Sequence, residues 1–477
     1  MTRIYFDSNI FRYLKSNEGN KYSLLQENLF DSKNQLLFYY SYAHLSDLGR
    51  DKTDRKFDDL LFMEQFVDKN FLNLNRDEEI VNVQIASPID SFNSMDFTPL
   101  NETLDFDKLA VEIEVQEGDT DEVKTAKKLA HQFFNMPLSN LGISNLPEMP
   151  EGNNPIAKLL PIVNERDTLL DLMKGMMGTF HDLYEDPSIW RDFRNYSIQS
   201  LGNKKFDIDI NNESFNELLR DTPLQKSFLE FVEDTFTHNK SLEKQRQFNF
   251  FINAYNCLNL LGLDNEKNKK VVFSSFQNDA QHAYYAAHCD YLVSADEQLL
   301  LKAKVLYKLF NIETKVLNLR EFEEELLELE TGDMTADNFV NYLTEVFENA
   351  ELQEDSEIEV NKRLLTYKLK VSFFHYFNHL NLVIENRDSP MYIFYNNVKN
   401  YSRFTSFIEF EKITNKIISI LGIDSNGKME FTDSEKKEII ENNWDGRIWH
   451  FEEETFCLQI EPCDYRLCFY YLPKFKI

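Results

Sequence analysis

The chain has 477 residues, of which 42% are hydrophobic and 14% aromatic, and its formal net charge is -30. This length exceeds the usual size of one hydrophobic core, so two or three domains are expected. The negative charge argues against a general nucleic-acid binder, because such proteins need a basic surface to approach a polyanion.

The sequence predicts a cytoplasmic protein with no membrane partner. No stretch is long and apolar enough to span a bilayer, and the first residues, MTRIYFDSN, lack the apolar region of a secretory signal. The five cysteines form no CxxC pair, which favours reduced thiols. A zinc site is the weaker alternative, because the spacing of its four candidate ligands does not fit a zinc finger: His450, Cys457, Cys463 and Cys468.

Residues 1–53 alternate between predicted strands and helices. RIYFD indicates a buried strand that ends in an acid, and NIFRYL has the apolar spacing of a helix. QLLFYY predicts a second strand, after which Ser41 is suited to cap the helix YAHLSDL. This order predicts a parallel sheet with crossover helices.

Residues 54–265 have a mostly helical pattern that is broken by a segment rich in proline and glycine at 136–155. We therefore expect a large helical insertion. Its basic strip is more typical of a solvated helix face than of a nucleic-acid contact: Lys240, Lys244 and Arg246.

The α/β pattern returns over residues 266–330. VVFSSF predicts a third strand, NDAQHAYYAAHC a helix and DYLVSAD a fourth strand, and a helix, a strand and the helix REFEEELLELE follow. We expect this segment to complete the sheet begun by the first 53 residues.

The remainder of the chain predicts a separate C-terminal α+β domain over residues 335–477. Residues 331–360 are acidic and indicate a linker helix and turn, and aromatic, β-branched runs follow them. His375 and His379 are expected to pack within one of these strands.

Four aspartates follow or adjoin the predicted strands: Asp7, Asp47, Asp279 and Asp296. The carboxyl ends of parallel strands form the ligand crevice of an open sheet, so we expect all four acids at that edge. Hard divalent cations prefer carboxylate oxygens, and the set therefore predicts a cation site.

Each acid also has a structural explanation. Asp279 and Asp296 are suited to be helix N-caps, and Asp47 to lie on a solvated helix face. Asp7 ends an apolar strand, so if buried it needs a partner or a cation. Asp290 is interpreted as a structural acid at the start of the fourth strand.

The pattern resembles the PIN-domain family of metal-dependent nucleases over residues 1–50 and 271–330. The resemblance rests on the DxN of Asp7 and Asn9, on the acid in HLSDL, and on the run NDAQHAYYAAHCDYLVSADEQL. It implies a PIN-like parallel sheet with flanking helices, interrupted here by the helical insertion. The insertion and the C-terminal domain depart from compact members of the family.

The resemblance also implies a site and an activity. Asp7, Asp47, Asp279 and Asp296 would bind Mg²⁺ or Mn²⁺ and support phosphodiester hydrolysis, usually of single-stranded RNA. Three polar residues would orient these acids or hydrogen-bond metal waters: Asn9, Asn278 and Ser294. His44 and His282 are expected to be packing residues, with a contact to substrate as the weaker alternative.

The leading hypothesis is a cytoplasmic ribonuclease, by analogy a toxin or phage-defence effector. One alternative is a non-catalytic scaffold that engages a protein partner, or a second copy of the chain, through its helical or C-terminal region. The other is a structure-specific DNA nuclease, for which DNA would replace RNA as the partner.

Overall fold

A computed structural model describes residues 1–17, 21–31, 36–75, 80–97, 106–141, 167–201, 215–237, 246–262, 273–331, 334–335, 338–385, 389–397, 407–451, 454–461 and 466–473. These residues form a mixed α/β fold with one largely parallel sheet and one antiparallel sheet. We found no helix in this part of the chain with the length and hydrophobicity needed to cross a membrane.

The first sheet has six strands in the order β4-β3-β2-β1-β5-β6. All neighbouring strands are parallel except β4, which is antiparallel to β3. The strands are β1 Thr2–Phe6, β2 Leu36–Ser41, β3 Asn70–Asn75, β4 Ile80–Ile85, β5 Tyr291–Val293 and β6 Lys315–Leu317. The N-terminal segment and the segment after residue 273 therefore share one sheet, as predicted.

The helices that pack with this sheet lie in the chain on either side of the helical insertion. Before the insertion they are α1 Ser8–Ser16, α2 Ser23–Asp31, α3 Tyr42–Gly49, α4 Arg55–Val67 and α5 Pro88–Asn93, and after it they are α12 Phe273–Ala286, α13 Glu297–Phe310 and α14 Leu319–Thr331. Those of the insertion are α6 Phe106–Glu112, α7 Asp121–Phe134, α8 Leu169–Glu185, α9 Pro187–Ser200, α10 Phe228–Thr237 and α11 Arg246–Leu260, with 3₁₀ turns at Leu138–Leu141 and Phe215–Glu217.

Helices cover both faces of the sheet, because alternate strand residues point to opposite sides. Ile4 and Phe6 of β1 are fully buried with side chains of α1, α4 and α14. Tyr5, between them, is buried on the other face with side chains of α11, α12 and α13. β1 is thus the centre of a three-layer core.

The insertion packs against the core through Trp190 of α9. Its Nε1 donates a hydrogen bond to Asn259 Oδ1 at 2.9 Å, and its ring centroid lies 4.8 Å from that of Phe276 in α12. Of the predicted basic strip, Arg246 pairs with Glu233 at 2.6 Å, and Lys240 and Lys244 lie outside the described residues.

The prediction that residues 54–265 are helical was wrong at its N-terminal end, where β3 and β4 join the sheet. β3 pairs in parallel with β2 through Tyr40 and Phe71. Its sequence, NFLNLN, places asparagine at every second or third position. Asparagine is depleted in strands, so the pattern is weak although the strand is mostly buried.

The prediction of a strand at VVFSSF, residues 271–276, was also wrong over residues 273–276, which the structure describes. These residues form the first turn of α12, which begins at Phe273. Phe273, Phe276, Ala280 and Ala283 recur at the spacing of one helix face, and the last three are fully buried. Asp279 therefore lies inside the helix, and the interpretation of this residue as an N-cap is corrected.

The C-terminal unit is built on a seven-stranded antiparallel sheet in the order β11-β12-β13-β10-β9-β8-β7. Its strands are β7 Glu351–Glu359, β8 Lys362–Phe373, β9 Phe377–Glu385, β10 Ser389–Tyr395, β11 Arg447–His450, β12 Glu454–Ile460 and β13 Leu467–Pro473. Its helices are α15 Phe339–Glu348, α16 Phe407–Leu421 and α17 Asp433–Ile440. The described part thus agrees with the predicted α+β composition.

Two predictions for this unit were wrong in detail. The acidic segment expected to be a linker helix and turn does contain a helix, α15, but its last part forms the edge strand β7, where charged side chains disfavour pairing with another chain. His375 lies in the turn between β8 and β9 with a left-handed backbone, φ 56°, and not in a strand. His379 does lie in β9.

A buried ion pair joins the central strand of the first sheet to a helix of the C-terminal unit. The guanidinium of Arg3 in β1 donates to both carboxylate oxygens of Glu409 in α16, at 2.5 and 2.8 Å. Glu409 is fully buried, and its partner is 3% exposed. The carboxylate of Asp290 accepts a hydrogen bond from the Arg3 backbone N–H at 2.7 Å, in keeping with a structural role.

The described cysteines are buried, free thiols: Cys257, Cys289, Cys457 and Cys468. Cys463, the remaining member of the weaker zinc alternative, lies outside the described residues.

Candidate functional site

Asp7 lies at the carboxyl end of the central strand. Its backbone N–H donates to Val293 O at 2.9 Å, which continues the pairing of β1 with β5. The carboxylate is 6% exposed, and its Oδ2 accepts hydrogen bonds from Asn9 Nδ2 at 2.6 Å and Ser294 Oγ at 2.7 Å. Two of the predicted orienting residues, Asn9 and Ser294, thus hold this acid.

Asp47 is positioned by α3, the helix that follows β2. Ser41 caps this helix by accepting a hydrogen bond from the Ala43 N–H at 3.2 Å, as predicted. Asp47 Oδ1 accepts from Asn278 Nδ2 at 2.7 Å, so the third predicted orienting residue holds the second acid.

His282 of α12 links these two acids. Its Nε2 lies 3.1 Å from Asp47 Oδ2 and 3.6 Å from Asp7 Oδ1, and its side chain is 1% exposed. The other ring nitrogen, Nδ1, lies 2.9 Å from the hydroxyl of Tyr5. One ligand atom from each of Asp7, Asp47 and His282 lies within 4.8 Å of the other two.

Asp296 is the N-cap of α13, which is the structural role considered for it, and it also adjoins the site. Its Oδ1 caps α13 by accepting from the N–H groups of Gln298 and Leu299, at 2.7 and 3.1 Å. Its own N–H donates to Ser294 Oγ at 3.0 Å, and that hydroxyl donates to Asp7. Asp296 is exposed, and the cap uses one of its two oxygens.

Asp279 is coupled to the cluster by charge. It lies one turn before His282 on α12 and is outside the group of three ligand atoms. Burial, followed by the charge of Asp7, raises the pKa of Asp279 to about 8, and the charge of Asp296 adds to the effect. The four predicted acids thus meet at one edge, two of them as direct neighbours of His282.

Burial, hydrogen bonds and the charges of neighbouring groups shift the pKa values of the other groups in the site. Burial raises the pKa of Asp7. Burial would also raise the pKa of Asp47, but the hydrogen bond and charge of His282 outweigh it and lower that pKa to about 2. Burial would lower the pKa of His282, but its hydrogen bond to Asp47 and the nearby acids raise it. These opposed shifts are typical of functional sites.

His44 supports the site without entering it. Its Nε2 is 2.7 Å from Phe6 O, so Nε2 carries the proton, and Nδ1 accepts from the Ser41 N–H at 3.1 Å. Burial lowers the pKa of His44 to about 3, which keeps the ring neutral. The packing role expected for His44 fits these contacts. The same expectation for His282 missed its position between two acids.

One sequence signal could have identified His282. Asn278 and Asp279 lie four and three positions before His282 on α12, so each of them is a neighbour of His282 on the helix surface. This signal becomes readable only once α12 is known to begin before Asn278.

The donor set fits a divalent cation. Two neighbouring ligands of an octahedral ion, each about 2.1 Å from it, are separated by about 3.0 Å. The separations of His282 Nε2 from the two carboxylate oxygens, 3.1 and 3.6 Å, are close to that value. Two carboxylates and an imidazole could therefore hold an ion with small movements.

No protein-family model, curated protein or solved structure matches this chain.

Proposed function

We propose that the chain is a PIN-like, metal-dependent ribonuclease that hydrolyses phosphodiester bonds in single-stranded RNA. The proposal rests on the convergence of Asp7, Asp47 and His282 at the carboxyl end of a parallel sheet, with Asp279 and Asp296 beside them. A resemblance to PIN nucleases in the order of these acids along the chain supports the choice of substrate.

In this proposal Asp7 and Asp47 would hold a divalent cation, Mg²⁺ or Mn²⁺, and Asp279 and Asp296 would add negative charge beside it. A bound cation supplies Lewis acidity toward the scissile phosphodiester and toward the attacking water. Asn9, Ser294 and Asn278 keep the two inner carboxylates in fixed rotamers by donating hydrogen bonds to them.

Asp296 is the group best placed to take a proton from water. It is exposed, and its cap role occupies only Oδ1. The second oxygen is free of the cap, and a carboxylate held in this way can accept a proton without moving its backbone.

Arg12 supplies a cation for the substrate in an otherwise acidic chain. It is exposed on α1, has no ion-pair partner among the described residues, and its charge reaches Asp47. It lines a small groove beside the site, together with Ser8 and His44. A guanidinium there can bind the phosphate that follows or precedes the cleaved bond.

The experiment compares cleavage of single-stranded RNA and of branched DNA by the full chain with Mn²⁺, with Mg²⁺ and with EDTA. We expect RNA cleavage that needs the cation and falls at least about 100-fold in Asp7→Asn and Asp296→Asn. Glu324→Gln, an exposed change on α14, is the matched control and should leave the rate unchanged. Undiminished cleavage by both aspartate variants would refute the proposal, and cleavage of DNA alone would replace RNA with DNA as the substrate.

A non-catalytic scaffold is the second candidate, and one observation favours it. The carboxylates of Asp7 and Asp47 already accept hydrogen bonds from Asn9, Ser294 and Asn278, and His282 bonds to Asp47. Such a satisfied cluster can be stable without a cation. Calorimetry that detects no Mn²⁺ or Mg²⁺ binding at neutral pH would favour the scaffold.

We extend the proposal to a cytoplasmic toxin or phage-defence effector, by analogy with large multi-domain nucleases. Induced expression of the wild-type chain should then arrest bacterial growth, and equal expression of Asp7→Asn should not. Equal growth of both cultures would remove this role and leave the enzymatic proposal to the cleavage experiment.

A further inference from the structure

We infer that His282 is itself a ligand of the cation, through Nε2, and that the site therefore prefers Mn²⁺ and other transition-metal ions to Mg²⁺. The inference rests on the metal dependence in the proposed function, but it does not need the protein to cleave RNA. His282 is outside the set of four acids that the resemblance implies, so it distinguishes this site from an all-carboxylate one.

The position of the ring argues for direct binding. Nε2 is the ring atom that faces both carboxylates, at 3.1 Å from Asp47 and 3.6 Å from Asp7. An ion that binds these two carboxylates must lie against the imidazole, because the ring is buried between them at 1% exposure. Nε2 would release its proton to solvent and exchange the hydrogen bond to Asp47 for a bond to the ion.

The second ring nitrogen of His282, Nδ1, has the hydrogen-bond partner that a metal-binding histidine requires. Such a histidine donates its second ring N–H to a fixed acceptor, which sets its tautomer and orientation. Here Nδ1 lies 2.9 Å from Tyr5 Oη, and that hydroxyl lies 2.7 Å from Ser41 Oγ. Ser41 Oγ in turn accepts from the Ala43 N–H at 3.2 Å. Tyr5 can thus accept from His282 and donate to Ser41 at the same time.

The backbone fixes this series of hydrogen bonds. Tyr5 is fully buried in the central strand, and Ser41 is the N-cap of α3, which also carries Asp47. The two elements that position the carboxylates therefore position the imidazole as well. An arrangement of this kind keeps the ring from rotating out of the site when the hydrogen bond to Asp47 is lost.

The nitrogen ligand determines which cation is preferred. Mg²⁺ is a hard ion that takes oxygen ligands and keeps several waters. Imidazole suits borderline ions, whose affinity for a given site rises from Mn²⁺ through Co²⁺ and beyond. Replacing one oxygen by Nε2 thus weakens Mg²⁺ relative to Mn²⁺.

The test is electron paramagnetic resonance of Mn²⁺ bound to the full chain, with Mg²⁺ added as a competitor. In the wild type we expect modulation of the spin echo by an imidazole ¹⁴N and competition by Mg²⁺ only at large excess. His282→Gln should lose the ¹⁴N signal, and Mn²⁺ affinity should fall by about 10- to 100-fold, with a smaller change for Mg²⁺. His131→Gln, which removes an exposed histidine, is the matched control and should behave as the wild type.

Tyr5→Phe provides a second test that keeps the ligand. It removes only the hydroxyl that bonds Nδ1, so the ¹⁴N signal should remain while Mn²⁺ affinity falls about tenfold or more. Circular dichroism and thermal unfolding in EDTA establish that each variant is folded.

Bound Mn²⁺ without ¹⁴N modulation in the wild type would overturn the inference, as would an unchanged Mn²⁺-to-Mg²⁺ preference in a folded His282→Gln variant. Failure of the proposed function gives a different result. The wild type would then bind Mn²⁺ with ¹⁴N modulation but cleave no RNA.

Discussion

The Nε2 atom of His282 lies 3.1 Å from Oδ2 of Asp47, although the two residues are 235 positions apart in the sequence. α3, which carries Asp47, packs against α12, which carries His282. The site therefore exists only when the N-terminal segment and the segment after residue 273 have assembled one sheet. Cation binding should stabilise that assembly, because the unfolded chain has no such cluster.

Asp279 should make the metal-free protein less stable as the pH rises. Burial and the charge of Asp7 raise its pKa from 3.8 to about 8, so the folded protein keeps a proton that the unfolded chain has lost. Between about pH 4 and 8 this one group can remove at most about 1.4 kcal/mol of unfolding free energy per pH unit.

Denaturant unfolding in EDTA, repeated from about pH 5 to pH 8, measures this effect. Asp279→Asn removes the carboxyl, so its stability relative to the wild type should increase as the pH rises. Stability profiles that run parallel over this range would show that Asp279 ionises in the folded protein as readily as in the unfolded chain.

Asp296 should have two separable roles. Asp296→Asn keeps a side-chain oxygen for the cap and removes the charge, so stability should change by less than about 0.5 kcal/mol while RNA cleavage is lost. Asp296→Ala removes both functions, and the loss of the cap should cost about 1 kcal/mol. Thermal unfolding and cleavage rates of the two variants test this. Full RNA cleavage by Asp296→Asn would show that capping α13 is the sole role of Asp296.

The sequence predicts the strand ends well because their signals are local. The apolar run before Asp7 and the cap position of Asp296 can be read from neighbouring residues, and both predictions agree with the structure. β3 was missed because its asparagines conceal a buried strand. Asp279 was misplaced because the apolar residues before it fit either a short strand or the first turns of a helix.

The long-range contacts could not be predicted from local pattern. Whether His282 packs or binds depends on how α3 meets α12. Arg3 is a charged residue in a buried strand, and it is tolerated because its partner, Glu409, is supplied from 406 positions away. No periodicity in a single sequence encodes either pairing.

The pair of Arg3 and Glu409 should be necessary for stability. Glu409→Gln removes the carboxylate that pairs with the buried guanidinium of Arg3, which should lower the free energy of unfolding by about 3–5 kcal/mol. Glu324→Gln, which breaks an exposed pair with Arg320, should change it by less than about 0.5 kcal/mol. Urea unfolding measures both.

A double variant makes this prediction stricter. Arg3→Met combined with Glu409→Leu removes both charges, so it should recover most of the stability lost in Glu409→Gln. A double variant no more stable than Glu409→Gln would show that the packing of these side chains, and not the uncompensated charge, accounts for the loss.

Arg12 should contribute to RNA binding and not to metal binding. Arg12→Gln should weaken the binding of all RNA sequences alike. It should also reduce the slope of log affinity against log salt concentration by about 1, the amount expected for the loss of one phosphate contact. Lys128→Gln, which removes an exposed charge on α7, is the control for net charge. Fluorescence anisotropy at several salt concentrations, with Ca²⁺ in place of Mn²⁺, measures the effect. Equal salt slopes for wild type and Arg12→Gln would exclude a phosphate contact.

The central claim is that side chains from both halves of the sheet form one cation site, and anomalous diffraction from crystals soaked in Mn²⁺ tests it most directly. The account predicts an anomalous peak bonded to Asp7, Asp47 and His282, with the hydrogen bond between His282 and Asp47 broken. Saturating Mn²⁺ that leaves no peak there, with His282 Nε2 still bonded to Asp47, would contradict it.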